Sequence, residues 1–353
     1  MAAVHVLSYF CHMGRLLLLL LLCCHALSAQ PTWDTTYYVT TKNRLNLGLV
    51  LSQRSYQIDL SPKKGDARSF SYDAYAPGAI GFIADYDKIS LQVLFKRKPV
   101  ADPKKGQTRF SNLALAVGGN NILFEGGYRF FKGFYDESSA NYINQYTDST
   151  PYYQLPDLTA NYIKIKGYYF TNRKHFSYKA VYSCGYRQLK SSSSWVLTAN
   201  FLNERLAADS SLVPLPLREE YPQSYPIKGI AHFGIGTGIG YTATLVFLKR
   251  FFANLTFVPS IHLQQRKYAL TDTSETKGYY GTLLIDSRVS LGYSAERFFV
   301  LFSGTNDRHW ITGKSLSIQP SFISGTFVLG YRFNVENKQV VKKVKKSSLY
   351  QRL

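Results

Sequence analysis

The chain has almost no usable cysteine. It has four cysteines in 353 residues, and three of them (Cys11, Cys23 and Cys24) fall in or before an apolar N-terminal segment. Cys184 alone remains beyond it. One thiol cannot close an internal disulfide or build a cysteine zinc site. Past that segment, no run reaches the roughly 18 apolar residues of a transmembrane helix. No stretch reads as a long amphipathic helix either. Acidic residues are scarce: 22 against 42 Lys and Arg, for a formal charge of +20.

In a cytosolic chain such a charge would point to nucleic acid. The N-terminal segment points elsewhere. MGRLLLLLLLCCHALSAQ, from Met13, carries Arg15, an apolar run over 16–24 and small residues near Ala29. That is the pattern of a secretory signal peptide, with cleavage expected after Ala29 or Ser28. Leu22, before Cys23, is too large for a lipoprotein signal. The expected organisation is a signal at 1–29, a folded body at 30–333 and a basic periplasmic tail at 334–353. For an exported chain, the phosphates of lipid and lipopolysaccharide are nearer partners than nucleic acid, and no nucleic-acid partner is expected.

Aromatics and glycine are abundant, with 28 Tyr, 23 Phe and 25 Gly. They sit in segments of period two. In 122–130, Ile122, Phe124, Tyr128 and Phe130 oppose Glu125 and Arg129. In 162–170, Ile163, Ile165 and Tyr169 oppose Lys164, Lys166 and Tyr168. In 283–293, Leu283, Ile285, Val289 and Leu291 oppose Asp286, Arg288 and Ser290. In 322–333, Phe327, Leu329, Tyr331 and Phe333 oppose Ser324, Thr326 and Arg332. One face is apolar and the other polar. Several segments reach the ten or so residues that cross a bilayer at a tilt. Backbone groups in lipid need in-sheet partners, and a closed barrel supplies them.

The connections alternate between short (85–88, 118–121, 171–175, 248–250 and 294–297) and long (61–77, 98–108, 133–159 and 203–227). Thirteen candidate strands result, and the alternation fails once, over 187–227. The expected fold is all-β, a transmembrane antiparallel β-barrel of about twelve strands, with fourteen as the alternative.

HFGIGTGIGYTATLVF, at 232–247, could be mistaken for a phosphate loop. A dinucleotide fingerprint needs a helix after the glycines, but β-branched and aromatic residues follow here. Gly234, Gly236, Gly238 and Gly240 are therefore expected on one face of a strand, leaving room for bulky lumenal neighbours. Ile235, Ile239 and Tyr241 are expected on the outward face.

Little else suggests chemistry. The histidine spacing gives no metal motif, and no cofactor is expected. Ser260 and His262 share a face, with Asp286 on a later strand, a cheap coincidence in any barrel. His175 falls in a turn and His309 in a loop. Asp136 and Glu137 read as a solvated loop pair. The interior is the better candidate: Glu125, Arg129, Lys164, Lys166, Asp286, Arg288 and Arg332 are expected to line the lumen. Charges of both signs there can hold a barrel shut, or a basic wall can select anions. The tyrosines of 133–159 are expected to cap a surface, with constriction or saccharide stacking as alternatives.

DTTYYVTTKNRLNLGLVLSQ, YQLPDLTANY, and the ordered run KHFSYKAVYSCGYRQLKSSSSWVLTANF leading into ADSSLVP resemble an outer-membrane barrel family of Bacteroidota, domain of unknown function four-four-two-one. The resemblance spans about 32–333. It implies a signal-targeted outer-membrane barrel and brings no catalytic residue. Tyr331 and Phe333 also resemble the terminal assembly signal read by the barrel assembly machinery, displaced here by the basic residues that follow. The expected role is structural or passive passage in the cell envelope, an anion-preferring pore being its specific form. A lipid- or lipopolysaccharide-modifying enzyme is the alternative, and a soluble periplasmic protein with an apolar ligand is a third reading.

Overall fold

The computed structural model describes residues 33–335, apart from 42–43, 75–77, 88, 97–101, 184, 273–274 and 313–315. The expected signal, Cys184 and the tail beyond 335 lie outside the described residues. The strands are β1 (Tyr38–Thr40), β2 (Arg44–Pro62), β3 (Phe70–Asp73), β4 (Ala79–Tyr86), β5 (Ile89–Lys96), β6 (Arg109–Gly118), β7 (Ile122–Asp136) and β8 (Tyr153–Phe170). After a single helix turn, α1 (Tyr178–Tyr182), come β9 (Tyr186–Gln188), β10 (Ser192–Ala207), β11 (Ile227–Phe247), β12 (Phe251–Leu270), β13 (Glu275–Ser294), β14 (Phe298–His309), β15 (Ile311–Thr312) and β16 (Leu316–Asn334).

Among the described residues, twelve strands close a ring in the order β2, β4, β5, β6, β7, β8, β10, β11, β12, β13, β14, β16 and back to β2. Every pairing is antiparallel, and β16 closes on β2 over Leu316–Asn334 against Arg44–Pro62. The fold is an all-β, closed antiparallel barrel of twelve strands. Closure removes most of the sheet edge; among the described residues β5 and β6 pair only over Ile89–Gln92 against Ala114–Val117.

The thirteenth candidate strand is not in the wall. Residues 171–191 were expected to hold a short turn and then a strand. Instead they form a turn, α1 and β9, and β9 pairs with β1 in a separate two-stranded sheet. Ser177 caps α1 by accepting from the Ala180 N–H at 3.3 Å, and no alternation is long enough there to build a wall strand. This segment explains the break in the turn-and-loop alternation. The expected loop 133–159 is also shorter, because β7 runs to Asp136 and β8 begins at Tyr153.

Period two decides the two faces. On β11 the glycines point inward and Ile235, Ile239 and Tyr241 point outward. A Cβ on Gly236 would stand 2.4 Å from His262 Cδ2, and one on Gly238 would stand 2.2 Å from Ser260 Oγ. The glycines therefore make room for polar side chains of β12. Outward aromatics form a chain of contacts near the end that carries the short turns. Trp195 meets Tyr241 at 5.2 Å between centroids, Phe251 meets Tyr293 at 5.1 Å, and Tyr331 meets Phe333 at 4.9 Å. Such a girdle is typical of barrels at a membrane interface.

Candidate functional site: the charged interior

Apolar clusters stand at both ends of the lumen. At the turn end, Ala180 and Val181 of α1 pack with Val50, Ile83, Phe299 and Val328 from the wall. Lys179 Nζ donates to the Asp87 carbonyl at 2.5 Å, and the Tyr182 hydroxyl donates to Asn254 Oδ1 at 2.7 Å. At the loop end, Tyr56, Phe70, Phe131 and Leu158 pack with Leu212, Val213 and Leu217 of the 208–226 connection. Tyr142 joins this cluster, and its hydroxyl donates to Asp136 Oδ2 at 2.6 Å. Asp136 was expected to be solvated. It is buried, because its carboxylate also caps the turn at 137–141 through the Ser138 N–H at 2.8 Å. Tyr146 stacks on Tyr152 outside the cluster.

Between the two ends lies a belt of charge. Lys166 Nζ donates to Asp286 Oδ2 at 2.6 Å, and each side chain is 1% exposed. Arg288 donates through Nε to Asp286 Oδ1 at 3.2 Å, through Nη2 to Glu125 Oε2 at 2.8 Å, and through Nη1 to the Tyr178 hydroxyl of α1 at 2.7 Å. Lys164 pairs with Asp307 at 3.0 Å, and Arg129 donates to the other oxygen of Asp307 at 3.2 Å. The Arg129 guanidinium lies 3.6 Å from the centroid of Phe322.

Six of the seven expected interior residues thus meet in one network. Arg332 sits apart, at the turn end, where Nη1 donates to the Ala295 carbonyl at 2.5 Å and Nη2 to Ser294 Oγ at 2.9 Å. A cavity of about 250 Å³ remains beside the belt, lined by Arg54, Glu125, Arg129, Lys164, Lys166 and Arg288 among others. Arg54 is buried, and its Nε and Nη1 have no hydrogen-bond partner. Five cations of the belt therefore face three carboxylates.

Sequence reading missed Asp307, Arg54 and Glu204. Glu204 falls in the expected 203–227 loop, yet Asn200, Leu202, Glu204 and Leu206 alternate inward along β10. His309 was also placed in a loop. It ends β14, buried, in phase with Leu301 and Asp307. The polar run GTNDRH obscured that phase. Ser260 and His262 are both buried. Ser260 accepts from Asn200 at 3.2 Å, while neither ring nitrogen of His262 has a hydrogen-bond partner. Asp286 is held by Lys166 and Arg288, so these three do not form a catalytic relay.

The family described as Domain of unknown function (DUF4421) matches residues 32–333. The chain belongs to that family. No curated protein matches the sequence. Among solved structures, the outer membrane protease OmpT from Escherichia coli is similar at 12% identity, over 83% of this chain and 98% of that one, with a TM-score of 0.37. The P. putida toluene transporter TodX is similar at 8% identity, over 83% and 91%, with a TM-score of 0.28. Ail, the attachment invasion locus protein of Yersinia pestis, is similar at 8% identity, over 82% and 98%, with a TM-score of 0.23. With its apolar exterior, aromatic girdle and polar interior, the family member described here has the fold of an outer-membrane β-barrel.

Proposed function

We propose that this protein is an integral outer-membrane barrel with a structural role in the cell envelope, its lumen shut by side chains and by the 171–191 segment. The observation that carries this reading is the bond from Arg129 to Asp307 at 3.2 Å. It joins β7 to β14, six strands away around a ring of twelve. A bond between opposite walls spans the lumen and narrows it at that level, leaving the cavity beside it. The Tyr56 hydroxyl reaches Glu204 across the same span, from β2 to β10.

In this reading the chain is exported by a cleaved signal and inserted by the barrel assembly machinery, with Tyr331 and Phe333 as its terminal signal. It sits among outer-membrane lipids and lipopolysaccharide in a bacterium of the Bacteroidota. Planar-bilayer conductance of the refolded protein, with insertion checked by heat-modified gel mobility, tests the role. The expected result is silence. Stable single-channel steps from the full chain would overturn it.

One observation favours a second reading, gated anion passage: the surplus of cations around the cavity, with Arg54 lacking a counter-charge. Deleting 176–190 should then convert silence into anion-preferring steps. The same deletion stays silent if the role is structural alone, because the cross-lumen bonds remain.

A further inference from the structure

A second cluster stands apart from the charged belt, toward the loop end. Glu204 of β10 lies beside His232 of β11 in the sheet register. His309, at the end of β14, faces them from three strands beyond β11 and four beyond β10 around the ring. One ligand atom from each of the three lies within 4.8 Å of the other two, and all three residues are buried. We propose that Glu204, His232 and His309 form a binding site for one divalent transition-metal ion of the zinc type.

The donor set is chemically right. Two imidazoles and one carboxylate are a common set of protein ligands for zinc, leaving a fourth tetrahedral position to water. Metal–ligand bonds of about 2.1 Å put tetrahedral ligand atoms ~3.4 Å apart. His232 Nε2 stands 3.4 Å from Glu204 Oε2. His309 Nε2 is at 2.7 Å from the same oxygen, a hydrogen-bond length that opens by less than an ångström on metallation.

The second observation is His232 itself. It is 2% exposed, yet neither ring nitrogen has a hydrogen-bond partner. A buried imidazole without a partner is costly, and a metal bond at Nε2 removes the part of that cost that falls on this nitrogen. A supporting contact is also in place. The Tyr56 hydroxyl donates to Glu204 Oε1, which leaves Oε2 for the imidazoles. Neighbouring Arg266 directs its donors to Gln264 and to the carbonyls of Trp310 and Thr312.

The test uses the full refolded protein, stripped with a chelator, loaded with Zn²⁺ and dialysed. Elemental analysis is expected to find one zinc per chain, and Zn²⁺ to raise the unfolding temperature. His309→Gln should weaken retention at least tenfold, and Tyr56→Phe should weaken it by about 10–100-fold through loss of carboxylate orientation. Substitution by Co²⁺ in the wild type needs no variant, and an intense visible band of four-coordinate Co²⁺ is expected. A wild type that retains no more zinc than His309→Gln, or gives no such Co²⁺ band, overturns the proposal. Neither readout depends on conduction, so this site and the closed-lumen role stand or fall separately.

Discussion

Lys166 and Asp286 meet at 2.6 Å, although their strands β8 and β13 stand four places apart around the barrel. Each contact of this kind ties two distant walls together. The ion pair excludes water and is supported by Arg288 and Lys164, which share the Asp286 carboxylate. Removing one partner of such a pair leaves a buried charge without compensation, whereas removing both does not.

Asp286→Asn should therefore destabilise the folded barrel by about 3–5 kcal/mol. The double variant Lys166→Met with Asp286→Leu should recover part of that loss. Urea unfolding in lipid vesicles, followed by gel mobility, measures both. Equal stability of Asp286→Asn and the wild type would show that the pair is solvated.

The outer face should respond to charge as a lipid-facing wall does. Ile239 is 62% exposed, in the middle of β11. Ile239→Lys should cost about 2–4 kcal/mol near the bilayer midplane, while Ile239→Val should cost little. Folding yield into vesicles reads the difference. A lysine tolerated as well as valine would favour a soluble barrel.

Close approach of β11 and β12 makes Gly236 sensitive. A Cβ there would stand 2.5 Å from the Ile261 carbonyl oxygen as well as against His262. Gly236→Val should destabilise by about 1–3 kcal/mol or more through overpacking. Gly126, where a Cβ meets nothing within 4 Å, should accept alanine without loss. Comparing the two unfolding midpoints checks the contrast.

Two loop-end connections should separate in acid. Arg68 donates to Glu220 at 2.8 Å through Nε, and its backbone N–H donates to the same carboxylate. The side-chain hydrogen bond from Arg68, above all, holds the Glu220 carboxyl below its ordinary value of 4.5. A depressed carboxyl stabilises the contact above the unfolded-state value, and that stabilisation is lost as pH falls through the folded-state value. Arg68 is exposed and Glu220 partly so, and solvent screens the pair, so the effect is local and small. Protection from hydrogen exchange in 208–226, relative to the intrinsic rate at each pH, should fall below about pH 4 in the wild type, and should no longer fall there in Glu220→Gln.

Much of this was legible in residue order, because alternation is a local property. A strand exposes every second side chain to one face, so Lys164 and Lys166 were separable from Ile163 and Ile165 without coordinates. The same rule placed the glycines of β11 inward. Reading failed where polar residues extend a strand past its apolar part. Glu204, Asp307 and His309 lie in such extensions, where a polar run obscures the alternation that marks a strand.

Period two, strand length and connection length are local to the chain, and together they dictate a closed antiparallel barrel with a polar interior. Which interior side chains meet comes from the closed ring alone. Arg129 meets Asp307, and Glu204 meets His232 and His309, because ring closure and register bring together strands far apart in order. α1 stands at the turn end because Ala180 and Val181 find an apolar wall there. Neither partner of a cross-lumen contact carries a local mark of the other.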